Sequence, residues 1–129
     1  MLAVLPKNHP MAGKDSYPLM RCSDEDFIMP ALGRDDDVAA LFEKFQIEPR
    51  ILFSTLENYV TISMVEKGLG ISVMNELITR NWQCNVAMLP LEPSQSIKLG
   101  MVVPSMENAS PAVRKFAEYV VEVRDNCGL

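Results

Sequence analysis

Between Asp35 and Met74 short apolar runs alternate with stretches of helical period, and this alternation restricts the possible folds more than any other feature. Three aspartates, Asp35, Asp36 and Asp37, precede Val38, Leu41, Phe42 and Phe45, which fall at i, i+3, i+4 and i+7 and define one apolar helix face. Carboxylates at that place accept orphan backbone N–H groups and suit the positive end of the helix dipole. Tandem aspartate side chains diverge, which favours a helix start over a metal site. Pro49 marks the exit. Arg50 to Ser54, carrying Ile51, Leu52 and Phe53, reads as a strand. A second helix follows, capped by Ser54, Thr55 or Glu57 and running to about Lys67, with Val60 or Tyr59, Ile62 and Val65 facing inward. Gly68 suits the left-handed position after its last turn, Gly70 keeps the next turn tight, and Ile71 to Met74 is a further strand.

The flanks continue the pattern. Leu2 to Leu5 reads as a buried strand that starts almost at the first residue, the expectation for a piece of a longer chain. Lys7 to Pro18 is polar, broken by Pro10, Gly13 and Pro18, and reads as a loop. Asp26 to Leu32 is a strand centred on Phe27, Ile28 and Met29 that runs into a turn at Pro30 and Gly33. Glu76 to Arg80 is a short helix, and Val86 to Leu91 and Ile97 to Val103 are two more strands. Ser110-Pro111 opens a last helix with a capping hydroxyl and a proline at the first helical position. Val113, Phe116, Ala117, Val120 and Val121 or Val123 form its apolar face. Strands separated by helices predict an α/β domain with a mainly parallel sheet.

Composition narrows the function. At 129 residues, 48% hydrophobic and 22% charged, the chain can bury a core large enough to offset its ordering entropy. A net charge of -5 without a Lys/Arg run gives no electrostatic footprint for nucleic acid. No apolar run approaches the roughly 20 residues that span a bilayer, and no secretory leader pattern is present. Cys22, Cys84 and Cys127 lack metal-ligand spacing and read as reduced thiols of a cytoplasmic protein, with Cys22 the one redox candidate. His9 is the sole histidine, so a Cys-His or Ser-His site would have to use it, yet no nucleophile turn accompanies it. It is expected as an exposed loop residue, and neither catalysis nor a metal or cofactor is expected. The nine methionines are expected mainly to fill gaps in the core.

Three stretches carry a resemblance. The segment LAVLPKNHPMAG resembles the strand and loop by which effector-binding domains of LysR-type transcriptional regulators cross between subdomains. FSTLENYVTISMVEKGLGISVMNE is similar to that family's helix and Gly-x-Gly strand entry. LPLEPSQSIKLGMVV followed by SPAVRKFAEYV resembles its return strand and terminal helix. Met74 and Asn75 depart from the pattern, standing where many members have a proline after the Gly-x-Gly strand.

The resemblance implies a periplasmic-binding-protein type II-like α/β fold with one complete lobe and an incomplete second one. Residues 6–89 would form the complete subdomain, and 1–5 with 90–129 the crossover strand and the returning strand and helix of the other. It further implies a small-molecule effector, with Pro30, Ala31, Leu32 and Gly33 and Ser54, Thr55, Leu56 and Glu57 at the cleft. Ser54 and Thr55 can contact a carboxylate there or simply cap their own helix. DNA would be reached only through an amino-terminal winged helix-turn-helix that this chain lacks, and no membrane is involved. A homodimer or larger assembly is expected from the apolar faces of the Ile97 strand and the Ser110 helix. A transport-type solute-binding protein for a small anion shares the two-lobe fold and is the alternative.

Overall fold

Strand β1 (Leu2–Pro6) alternates its side chains across a sheet: Ala3 and Leu5 enter one buried cluster, Val4 the other. The computed structural model describes residues 1–30, 36–80, 82–98 and 100–127, and these divide into two compact units, Met1–Ile97 and Lys98–Leu129. In the first unit β1 lies between β5 (Ser72–Met74) and β6 (Val86–Glu92) and is antiparallel to both, with Ala3 opposite Val73 and Leu89. The short β2 (Tyr17–Pro18) adds in parallel to β6. β3 (Asp26–Met29) and β4 (Arg50–Ser54) form a parallel pair, bulged at Leu52 because Phe27 faces Ile51 and Ile28 faces Phe53.

The two sheets are stitched at one point. Ile71 N–H donates to Asp26 O and Ile28 N–H to Ile71 O, both at 2.8 Å, and the buried Ser72 hydroxyl donates to Ile28 O. The sheet is thus mixed rather than mainly parallel. Strands joined through a helix do run parallel: β3 and β4 across α1 (Asp36–Phe45), β5 and β6 across α3 (Glu76–Thr79). β1 precedes every crossover helix, so the crossover rule does not set its direction.

Both faces of the sheet are covered. Val38, Leu41 and Phe42 of α1 are buried with Phe27, Met29, Ile71 and Val73, and Phe45 packs against them, as the i, i+3, i+4, i+7 pattern predicts. On the opposite face Ile62 and Val65 of α2 (Asn58–Glu66) meet Val4, Ile28, Met74 and Val86. Met29 and Met74 are buried and four further methionines pack partly against the clusters, whereas Met20, Met101 and Met106 are exposed.

Helix ends follow local stereochemistry. α2 closes with a Schellman motif: Gly68 N–H donates to Val65 O and Leu69 N–H to Met64 O, with Gly68 at φ 76°. α1 closes the same way, through Gln46 N–H to Glu43 O and Ile47 N–H to Phe42 O, so it ends four residues before Pro49. Its left-handed residue is Gln46 at φ 54°, a conformation that strains a side-chain-bearing residue. Gln46→Gly is therefore expected to raise the unfolding free energy by up to about 1 kcal/mol in urea denaturation.

Several expectations change. Pro18 is followed by a 3-10 helix, Leu19–Asp24, that buries Leu19 and Cys22. His9 is not a free loop residue: its side chain is only 10% exposed. Its Nδ1 accepts Met11 N–H at 3.1 Å, so the neutral ring carries its proton on Nε2, which donates to Glu25 Oε1 at 3.2 Å. The loop is folded back on itself around this ring, a non-local contact that no local pattern announces.

Cys22 is fully buried, and burial, reinforced by the Glu25 carboxylate, pushes its thiol up to about 12. A thiol held neutral is a poor nucleophile, which removes Cys22 as a redox candidate. At pH 8 iodoacetamide is expected to label the partly exposed Cys84 fully while peptide mapping finds Cys22 unmodified. The same shift has a stability consequence. The unfolded chain loses the Cys22 proton first, near the ordinary value of 9.0, so stability falls as pH rises from about 9 towards 12. Burial also raises the Tyr17 hydroxyl, which acts in the same direction.

The described residues of 97–103 form no strand, and Val102 is 92% exposed. A strand needs a partner for its N–H and C=O groups, and among the described residues none pairs with this segment. α4 (Pro111–Cys127) starts where expected, Val113 N–H donating to Ser110 Oγ at 3.3 Å. Of its apolar face only Ala117 is buried; Phe116 is 59% exposed.

Candidate ligand-binding site

β3 and β4 run parallel and end side by side, and this brings together two segments 24 residues apart in sequence. Met29 pairs with Ser54, and Thr55 N–H donates to Met29 O at 3.0 Å, so Pro30 lies beside the Ser54–Glu57 segment at the carboxyl ends of both strands. In open α/β sheets ligands bind in the crevice beyond such strand ends. Ala31, Leu32 and Gly33 lie outside the described residues.

The four residues of the second segment differ in what they offer. Thr55 is 8% exposed, and its hydroxyl is engaged with Thr61 Oγ1 and with Glu57 O at 3.4 Å. Thr61, fully buried, also reaches Glu57 O, at 3.5 Å. The pair anchors the turn into α2 from inside. Ser54, Leu56 and Glu57 are exposed. Glu57 occupies the cap position, but its side chain makes no cap bond, so the carboxylate does not satisfy the first N–H groups of α2.

Next to this turn lies a shallow cavity. Asp37 and Val38 from the first turn of α1, Asn58 from the first turn of α2, and Asn75 beyond β5 line it together with Pro30 and Met74. Among the described residues Asp37 is the only charged side chain that lines it. Asn58 and Asn75 were not candidates from sequence. Asn75 was legible as a cap, because Asn-Glu before an apolar turn is a helix-start signal, and its Oδ1 does accept Leu77 N–H at 2.9 Å. Asn58 carries no comparable signal.

The family model described as "LysR substrate binding domain" matches residues 1–125. The chain belongs to the LysR substrate-binding domain family. Among curated relatives, this LysR domain is 26% identical over 121 residues to the HTH-type transcriptional regulator YnfL of Escherichia coli (strain K12), covering 90% of the chain and 41% of the relative. It is 28% identical over 124 residues to the HTH-type transcriptional regulator YybE of Bacillus subtilis (strain 168), covering 94% and 42%. The chain therefore spans about two fifths of the length of the curated relatives it matches.

Solved structures agree on the architecture of this LysR domain. The effector binding domain of QuiR in complex with shikimate superposes with a TM-score of 0.68 at 25% identity, over 97% of this chain and 61% of that one. The BenM effector binding domain with its effector benzoate gives 0.72 at 18% identity, over 98% and 60%, and shows the shared fold. The α/β, periplasmic-binding-protein type II-like architecture expected from sequence is thus that of the LysR effector-binding domains. Among the described residues no helix is long and apolar enough to cross a membrane.

Proposed function

We propose that this chain is the effector-sensing part of a LysR-type transcriptional regulator, acting in the cytoplasm without enzymatic activity. The observation that carries the reading is the family match over residues 1–125, joined by curated relatives that are HTH-type transcriptional regulators. Those relatives favour sensing over the transport alternative. DNA contact belongs, in this reading, to a helix-turn-helix outside the matched region, in keeping with the negative net charge of the chain. Residues 6–89 act as one lobe that also takes in β1, which lies between β5 and β6, and the residues beyond β6 act as part of a second.

The ligand is a small carboxylate held by Pro30–Gly33 and Ser54–Glu57. Ser54 supplies an exposed hydroxyl, Thr55 holds the turn, and the first-turn N–H groups of α2 suit an anion. QuiR, whose effector domain is 25% identical, is solved with shikimate, an acid. A ligand of this kind shifts the lobes only by its differential affinity for closed and open states. The test is a thermal-shift screen of the chain against shikimate, aromatic acids and amino acids. A saturable rise in Tm with one acid class, weakened by Ser54→Ala, is the expected result. Absence of any shift in a folded sample would count against a site within this chain.

Self-association is part of the same proposal. β4 is an edge strand whose five residues are all exposed, including Ile51 at 48%, Leu52 at 47% and Phe53 at 40%. Apolar edges of this kind favour pairing. Light scattering across a concentration series is expected to show a dimer or larger species; a monomer throughout would overturn this part.

A further inference from the structure

We propose that the groove between α2 and the Trp82–Cys84 segment binds a compact alkylammonium cation. The groove, about 480 Å³, lies along α2, whose Tyr59, Ser63 and Glu66 fall at i, i+4 and i+7 and line it together with the buried Ile62. Trp82, Gln83 and Cys84 complete the lining.

Besides the exposed Gln83 amide, which can turn to water, the polar groups there sort into used and unused. The Ser63 hydroxyl donates to Tyr59 O at 2.8 Å, and the Cys84 thiol to Trp82 O at 3.6 Å, so both are turned to backbone carbonyls. Among the described residues Glu66 is the only charged side chain that lines the groove, and it makes no ion pair there. Lys67, the next residue, is not part of the lining. Two large aromatic side chains that line the same groove stay open to solvent, Tyr59 at 59% and Trp82 at 39% exposure.

The chemistry of the lining selects the ligand. An anion would meet the Glu66 carboxylate. A purely apolar ligand would desolvate that carboxylate without pairing it. Metal ions find too few ligands, since among the described residues no group of three or more His, Cys, Asp and Glu could hold one. An ammonium centre with an alkyl shell satisfies both wall types: the carboxylate pairs its charge, and tyrosine and tryptophan attract it through their ring quadrupoles while covering its methyl groups. This site is separate from the strand-end crevice and does not rest on the effector reading.

The chain has one tryptophan, Trp82, so its emission reports on the groove directly. The intact chain is titrated with choline, with sodium chloride at matched ionic strength as the reference. A saturable change in Trp82 emission is expected, with a midpoint on the order of millimolar. Glu66→Gln, an exposed and fold-neutral change, and Tyr59→Leu should each raise that midpoint at least about fivefold, while Glu43→Gln on α1 leaves it unchanged. The proposal is overturned if choline acts no differently from sodium chloride, if its uncharged carbon isostere binds as well, or if the midpoint is unchanged in Glu66→Gln with circular dichroism intact.

Discussion

Replacing Gly70 by alanine is expected to cost about 3 kcal/mol or more of unfolding free energy, measured by urea denaturation. A Cβ on Gly70 would stand 2.6 Å from Asp26 O and 3.1 Å from Asp26 C, at a φ of 154° that L side chains rarely adopt. The neighbour is backbone, and it cannot step aside. Asp26 O accepts Ile71 N–H, part of the bridge that joins β3 to the strand entering β5. The substitution thus combines backbone strain with disruption of the contact that unites the two sheets. Gly68→Ala is the matched comparison. Gly68 needs a left-handed φ of 76° but meets nothing within 4 Å, so its cost is the conformational one alone, about 1 kcal/mol. Equal losses at the two glycines would sink the close-approach account.

The second large effect is expected at Phe27, where truncation to alanine should cost about 3–5 kcal/mol. Phe27 is fully buried between the sheet and α1, and its ring meets Phe42 edge-on, with centroids 5.0 Å apart and planes inclined at 71°. Such a pair contributes about 0.5–1.5 kcal/mol beyond its buried area, and the rigid strand around it cannot collapse into the void. Phe53→Ala on the neighbouring strand is the control. That side chain is 40% exposed on the open edge, so its loss should stay below about 1.5 kcal/mol. Urea midpoints of the two variants decide the matter: comparable losses would mean that the buried face of the β3–β4 pair is wrongly assigned.

What the sequence determined by itself is what short-range stereochemistry governs. The apolar face of α1 follows from spacing alone, because a helix of 3.6 residues per turn brings Val38, Leu41, Phe42 and Phe45 onto one side in any context. Gly68 after α2 and Ser110 before α4 are likewise local, since each answers the orphan backbone groups of a helix end. The strand-end candidates came instead from the family resemblance, and the parallel pairing of β3 with β4 is what sets Pro30 beside Ser54.

Only the tertiary structure decided the rest. Tyr59 or Val60 was expected to face inward with Ile62 and Val65, yet Thr61 is the residue buried beside those two, because Thr55 Oγ1 and Glu57 O stand ready to bond its hydroxyl. Asn58 joins the cavity because the first turns of α1 and α2 both open onto it. His9 is held by a glutamate 16 residues away. Ile97 to Val103 has the composition of a strand but no partner among the described residues, and a backbone without a partner keeps its hydrogen bonds with water. In each case the deciding group is distant along the chain, and the free energy of burying a polar atom or pairing a strand depends on what the fold places opposite it.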